Sequence, residues 1–158
     1  MNVAANVEGK HILITGGGSG IGAASARVLS ARGATVGIAD LNEGNAKTLA
    51  EEIVAAGGKA YAVAVDVTEP AQVKAMFDTA LSHNDKIDVI INNAGIDHFP
   101  APLTEVDDAI FMKNIQFNLA GVWYCMKNAL KHMTASGGGH IINIASVAGL
   151  RSAPMISA

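Results

Sequence analysis

Short apolar runs alternate with amphipathic segments along the whole chain. Five of these runs have the length and composition of strands, and they cover residues 10–15, 35–39, 60–65, 87–92 and 140–145. The segments between them repeat apolar residues at helical spacing, as in Val73, Met76, Phe77 and Ala80. Strands that alternate with helices predict an α/β fold with a doubly wound parallel sheet (Rossmann type) and right-handed crossovers. We expect residues 1–158 to form one domain.

The helix limits follow from capping and stop signals. A helix over residues 20–31 ends before Gly33, and Asn42 and Thr68 are the predicted N-caps of the next two helices. A longer helix is predicted from about residue 104 to residue 135, before the glycines at 137–139. It is apolar on more than one side, which indicates contact with the sheet and with something else, such as another subunit.

Composition excludes several classes of function. Half of the 158 residues are hydrophobic and the net charge is −3, so binding to nucleic acid or to an anionic membrane is not expected. The single cysteine, Cys125, lies in an apolar helical pattern and is predicted to be a small core or interface residue and not a nucleophile. The five histidines lack ligand spacing, so no metal site is expected. With no apolar stretch long enough to span a membrane and no signal peptide, we expect a cytoplasmic protein.

The segment from Thr15 to Gly22 carries the strongest candidate chemistry. It joins the first predicted strand to the first predicted helix and reads Thr-Gly-Gly-Gly-Ser-Gly-Ile-Gly. Glycine at 16 permits a tight turn, and Gly20 and Gly22 allow close approach of a pyrophosphate to the N-terminus of the helix. A tight turn without a ligand is the alternative interpretation.

Asp40 strengthens the dinucleotide hypothesis. It ends the second predicted strand 18 residues after Gly22, close to the spacing of a carboxylate that binds a ribose 2′-hydroxyl. The same carboxylate would repel the 2′-phosphate of NADP, and no arginine follows within a few positions. NAD is therefore the predicted cofactor, with NADP less favoured. A helix-initiating aspartate is the alternative role for Asp40.

Three motifs occur together in a fixed order: Thr15-Gly16-x-x-x-Gly20-Ile21-Gly22, then Asp66-Val67, then Asn92-Asn93-Ala94-Gly95. In this combination the chain resembles the short-chain dehydrogenase/reductase family over nearly its whole length. The resemblance implies that Asp66 binds the adenine amine beside Val67, and that Asn93, Ala94 and Gly95 line the cofactor. The set of cofactor-binding residues expected on this basis is Thr15, Gly16, Gly18, Ser19, Gly20, Ile21, Gly22, Asp40, Asp66, Val67, Asn93, Ala94 and Gly95.

Two further positions match catalytic residues of that family. Asn118 matches the helix asparagine that holds a water in the proton relay, and Ser146 matches the serine that binds the substrate carbonyl or hydroxyl. Taken alone, a mid-helix asparagine is more often a packing or solvated residue, and a serine after a strand is often a turn residue. His98 lies on a loop over the expected site, where contact with substrate and plain solvation are both open.

The chain departs from the family after Ser146. The family's Tyr-x-x-x-Lys motif supplies the general acid–base, and neither Tyr61 nor Tyr124 has a lysine four residues later. The C-terminal strands and helices of the family fold are likewise expected to be missing from this chain. We therefore expect the N-terminal part of an NAD-dependent alcohol or ketone oxidoreductase that is inactive alone. The alternative is a non-catalytic NAD-binding module or an inactive paralogue.

Other consequences of the resemblance concern partners. The substrate class is a small alcohol or ketone, and the full-length form is expected to be a homodimer or homotetramer.

A methyltransferase of similar fold is another alternative, because it also has a glycine turn and an acidic residue after the second strand. The paired Asn92-Asn93 and the serine after the fifth strand argue against it.

Overall fold

The computed structural model describes residues 7–151 and residue 155. Five parallel strands form one sheet in the order β3-β2-β1-β4-β5, with helices in the connections, which confirms the predicted doubly wound α/β fold. The regular elements are β1 His11–Thr15, α1 Gly20–Ala31, β2 Thr35–Asp40, α2 Glu43–Ala55, β3 Lys59–Ala64, α3 Pro70–His83, β4 Val89–Asn92, α4 Asp108–Ile115, α5 Val122–Ala135 and β5 His140–Asn143.

Each face of the sheet packs on its own apolar cluster. Successive side chains of β1 point to opposite faces, so Leu13 joins one cluster and Ile12 and Ile14 join the other. The first cluster also includes Phe77 of α3 and Cys125 of α5, and the second takes in buried residues of α1 and α2. The prediction that Cys125 is a core residue is confirmed, because its side chain is 1% exposed.

The region predicted as one long helix is composite. It begins with a 3₁₀ turn at Leu103–Glu105, and α4 starts only after Asp107, whose carboxylate accepts from the N–H of Ala109. Between α4 and α5 the chain passes through a π-helical segment, Gln116–Gly121. The prediction of an uninterrupted helix from residue 104 was therefore wrong in its start and in its regularity.

The cap of α3 also differs from the prediction. Its N-cap is Glu69, whose side chain makes no capping hydrogen bond within the described chain, and Pro70 occupies the first turn. The Thr68 hydroxyl donates instead to Asp66 at 2.7 Å. Thr68 therefore belongs to the local turn around Asp66, and α3 starts one residue later than the sequence pattern placed it.

α5 and β5 both carry exposed apolar side chains. One face of α5 is buried through Ala129, Cys125 and Met133, whereas Trp123 and Leu130 are more than half exposed. Within the sheet of described residues, β5 is an edge strand. No helix in the described ranges is long and apolar enough to cross a bilayer.

Candidate functional site

The turn between β1 and α1 is shaped by glycines that tolerate no side chain. Gly16 has φ +61°, a left-handed conformation that favours glycine. A Cβ at Gly22 would overlap the carbonyl oxygen of Gly16 and lie 2.7 Å from the side-chain nitrogen of Asn93. The backbone of the turn therefore packs directly on the start of α1.

Thr15 and Asn93 fasten this turn to the end of β4. The Thr15 hydroxyl oxygen accepts from the N–H groups of Asn93 and Ala94, both at 3.1 Å. In the other direction, the Asn93 side-chain amide donates to the carbonyls of Thr15 at 3.1 Å and Gly16 at 2.9 Å. These four bonds hold the carboxyl ends of two neighbouring strands in a single arrangement.

The N-terminus of α1 is open to an anion. Its N-cap, Ser19, makes no side-chain capping bond among the described residues, and the first turn carries no acidic side chain. The first N–H groups of a helix lack partners inside the helix and lie at the positive end of its dipole. This end of α1 therefore has the properties of a phosphate-binding site.

Asp40 stands beside this anion site, held in one orientation. One carboxylate oxygen accepts from the N–H of Gly18 at 2.8 Å, and the other accepts from the N–H of Asn42 at 2.9 Å. Asp40 ends β2, next to β1 in the sheet, which places its carboxylate at the same edge as the glycine turn. Each carboxylate oxygen keeps further capacity to accept a hydrogen bond.

These elements open onto a cleft of about 490 Å³ at the carboxyl edge of the sheet. Nine residues predicted to bind a cofactor or to lie beside one line it: Gly16, Ser19, Gly20, Ile21, Asp40, Val67, Asn93, Ala94 and Gly95. Four apolar lining residues were missed by the sequence analysis: Leu41, Val65, Ile96 and Phe117. Ile21 and Leu41 are large apolar side chains that are 66% and 64% exposed, so they offer apolar surface at the rim of the cleft.

The other predicted cofactor residues lie around the cleft and are not among the described residues that line it. Thr15, Gly18 and Gly22 support the turn from behind through the contacts given above. Asp66 is held by its own local turn, with one carboxylate oxygen accepting from the N–H and hydroxyl of Thr68 at 2.9 and 2.7 Å.

Asn118 lies in the π-helical segment and clamps the chain that follows β4. Its side-chain oxygen accepts from the N–H of Ile96 at 2.9 Å, and its side-chain nitrogen donates to the carbonyl of Ile96 at 2.8 Å. Because Ile96 lines the cleft, Asn118 holds part of the cleft wall. π-Helical segments are often found at functional sites, where they redirect a side chain.

Ser146 follows β5 and is exposed. Its hydroxyl oxygen accepts from the N–H of Ala148 at 3.2 Å and so caps the 3₁₀ turn Val147–Gly149. Neither Ser146 nor His98 is among the residues that line the cleft in the described part of the chain. The structure therefore places these two predicted residues at the same edge of the sheet but outside the cleft itself.

A narrow gap, too small to admit a water molecule, lies where β1, β4 and α5 meet. It is lined in part by Thr15, Asn92 and Cys125. The Asn92 side-chain nitrogen donates to Asn143 at 2.7 Å, whereas its buried oxygen has no hydrogen-bond partner among the described residues. Burial raises the pKa of the Cys125 thiol to about 12, so the thiol stays protonated and unreactive at neutral pH.

Comparisons with known proteins identify the family of the chain. The sequence model of the family described as short chain dehydrogenase matches residues 10–158. The chain belongs to the short-chain dehydrogenase family. Among solved structures, a 7 alpha-hydroxysteroid dehydrogenase complexed with NADH and 7-oxo glycochenodeoxycholic acid is similar, with a TM-score of 0.89 and 32% identity over 94% of this chain and 58% of that one.

Curated relatives of this short-chain dehydrogenase chain include enzymes named for ring-borne alcohols. A cis-4-hydroxycyclohexanecarboxylate dehydrogenase from Sinomonas cyclohexanicum is 44% identical over 87% of this chain and 55% of its own length. A 2,5-dichloro-2,5-cyclohexadiene-1,4-diol dehydrogenase from Sphingobium indicum is 38% identical over 95% of this chain and 59% of its own length. The chain thus spans somewhat more than half the length of these relatives.

Proposed function

We propose that this chain forms the cofactor-binding part of an NAD-dependent dehydrogenase that interconverts a secondary alcohol and a ketone. The observation that carries the proposal is the carboxylate of Asp40, fixed at the rim of a cleft onto which the glycine turn and the N-terminus of α1 open. Membership of the short-chain dehydrogenase family supports the same function.

The cleft fits a dinucleotide on three physical grounds. Its volume of about 490 Å³ lies within the range of roughly 300–1,000 Å³ typical of cofactor and ligand pockets. The open N-terminus of α1 suits a pyrophosphate, and the close packing at Gly16 and Gly22 lets the backbone approach it. Ile21 and Leu41 supply apolar surface at the rim.

Asp40 favours NAD over NADP in this proposal. A ribose hydroxyl can donate to its carboxylate, whereas a 2′-phosphate would place negative charge against it. The N–H groups of Gly18 and Asn42 prevent the carboxylate from turning away. Lys47 of α2 is paired with Glu43 at 2.7 Å and is not among the described residues that line the cleft.

The remaining site residues keep their proposed roles, with one refinement. Asp66 would bind the adenine amine beside Val67, while Asn93, Ala94 and Gly95 would line the cofactor. Once bound, the nicotinamide ring supplies the position that accepts or donates hydride. Ser146 would hold the substrate oxygen. Because the amide of Asn118 is already engaged by Ile96, we assign Asn118 to positioning the cleft wall.

For the substrate, we propose a secondary alcohol on an alicyclic ring. The support comes from the names of the relatives, a hydroxycyclohexanecarboxylate dehydrogenase and a cyclohexadienediol dehydrogenase among them.

We also propose that the 158-residue polypeptide binds NAD without turning it over, because its sequence contains no Tyr-x-x-x-Lys to exchange the alcohol proton. Loss of a general acid–base typically costs about 10²–10⁴-fold in rate.

A combined binding and turnover experiment tests these proposals. The polypeptide is titrated with NADH by fluorescence, then incubated with NAD and either cyclohexanol or cis-4-hydroxycyclohexanecarboxylate. We expect saturable NADH binding and no NADH production. Absence of binding would contradict the proposed cofactor site. Binding with steady NADH production would contradict the proposed inactivity and leave the cofactor site standing.

A further inference from the structure

A second group of polar side chains lies at the opposite edge of the sheet, away from the cleft. His11 begins β1, while the site residue Thr15 ends it, which separates the two by four residues or about 13 Å of strand. His11 is 0% exposed, although histidine is a polar residue that can carry charge. Nothing in the proposed dehydrogenase function uses it.

The hydrogen bonds of His11 determine which ring nitrogen carries the proton. Nδ1 lies 2.7 Å from the carbonyl oxygen of Lys86, and a carbonyl can only accept, so Nδ1 is the donor. In the neutral ring Nε2 is then an acceptor. It lies 2.7 Å from the hydroxyl of Tyr61, which therefore donates to it.

The Tyr61 side chain reaches His11 by crossing the strand between them. β2 separates β1 from β3, and Tyr61 of β3 is paired in register with Gly37 of β2. A Cβ at Gly37 would lie 2.5 Å from the Tyr61 hydroxyl, so only glycine leaves room for the phenol ring. A glycine inside a buried strand is otherwise unfavourable, which indicates that the close approach is required.

Charged and titratable groups surround this pair from each packed element. The ring of His83, at the end of α3, stacks on Tyr61 with centroids 3.8 Å apart. Asp88, just before β4, accepts from the backbone N–H of His11 at 2.9 Å and is paired with Lys86 at 2.8 Å and Lys10 at 3.4 Å. The two lysines thus neutralise the charge of Asp88. A positive charge on His83 would repel a positive charge on the His11 ring.

We propose that His11 and Tyr61 form a proton-sensitive latch that holds β1, β3 and the connection between α3 and β4 together only while His11 is neutral. A proton taken from solvent by Nε2 turns that nitrogen into a donor. The Tyr61 oxygen would then accept, and its own hydroxyl proton would lose its acceptor in a buried place, which is costly. Loosening of Tyr61 also releases the stacked ring of His83 and with it the end of α3.

The effect of burial on titration agrees with this geometry. Desolvation lowers the pKa of His11, against the opposing effects of the Lys86 carbonyl and Asp88. The unfolded chain therefore takes up a proton at a higher pH than the folded chain. Stability is complete above the unfolded pKa of about 6.5 and falls as pH decreases from there towards the folded pKa. Within that window the unfolding equilibrium constant changes by up to about tenfold per pH unit.

Nuclear magnetic resonance of the histidine rings in the 158-residue chain tests the latch. We expect His11 in the Nδ1–H form at pH 8, with a titration midpoint below the ordinary imidazole value of about 6.5. Tyr61→Phe removes the donor to the neutral ring, so the titration midpoint of His11 should shift upwards, while His140→Gln should leave it unchanged. This readout does not depend on cofactor binding.

Three results would overturn the proposal. They are an Nε2–H form of His11, a titration midpoint of His11 at or above the ordinary imidazole value of about 6.5, or an unchanged midpoint in Tyr61→Phe. Equilibrium unfolding in urea between pH 5 and pH 8 gives a second readout. We expect stability to fall with decreasing pH in the wild type and less steeply in His11→Gln; equal slopes would also contradict the latch. If His11→Gln fails to fold, Tyr61→Phe still decides the question.

Discussion

Replacing Gly22 with alanine separates two opposing effects of a methyl group at the start of α1. Alanine in place of glycine inside a helix is favourable by about 1 kcal/mol. Here the new Cβ would overlap the Gly16 carbonyl and crowd the Asn93 amide, both of which are anchored by hydrogen bonds. Overpacking of this kind typically costs about 1–3 kcal/mol, with anchored neighbours favouring the upper end.

The expected net loss in the free energy of unfolding is about 1–2 kcal/mol. For a chain of this length that corresponds to a fall in Tm of roughly 2–8 °C. The turn must also move away from the helix N-terminus, so NAD binding should weaken by at least about tenfold, equivalent to 1.4 kcal/mol.

The assay pairs urea unfolding, followed by circular dichroism, with a titration by NAD. Gly149→Ala is the matched control, because no described atom lies within 4 Å of the position of its new Cβ. It should leave stability nearly unchanged. A Gly22→Ala variant as stable as the wild type, or more stable, would show that the glycine turn can shift to make room for the methyl group. That result would refute this account of the turn.

Three further predictions follow from the core and its charges. Phe77→Ala should cost about 3–5 kcal/mol in urea unfolding, because Phe77 lies on the buried face of α3 and is 0% exposed; a loss below 1 kcal/mol would contradict the described packing. Cys125 should react with iodoacetamide at pH 8 far more slowly in the native protein than in urea, since burial holds its thiol pKa near about 12; equal rates would contradict its burial. Burial acts to raise the pKa of Asp88, but the His11 N–H and the two lysines outweigh it, so its pKa lies below the ordinary 3.8. Asp88 thus stabilises the fold above that pH and loses this effect as pH falls, and Asp88→Asn should flatten the acid limb of stability against pH measured by urea unfolding.

The sequence predicted the elements that depend on local signals. Glycine turns, apolar runs and capping residues located five strands, and the order of the motifs located the candidate site. The cap of α3 was predicted wrongly because Thr68 could take part in either of two local structures. Thr68 could cap α3 or close the Asp66 turn, and only the folded chain shows that the turn is formed.

What the sequence could not supply were contacts between distant residues. Asn118 of the π-helical segment bonds to Ile96, 22 positions earlier, and no periodicity in the sequence signals that bond. The apolar lining by Leu41 and Phe117 depends on how helices sit on the sheet. One signal was present and not used: Gly37 inside a buried apolar strand indicates close approach of another group, here Tyr61.

The central claim is that the glycine turn and Asp40 form a site for NAD. Calorimetric titration of the 158-residue chain with NAD and with NADP tests it most directly, with Asp40→Asn as the test variant and Glu51→Gln, an exposed charge on α2, as the control. We predict that NAD binds more tightly than NADP in the wild type and in Glu51→Gln, and that this preference shrinks in Asp40→Asn. Binding of neither nucleotide, or tighter binding of NADP by the wild type, would contradict the account.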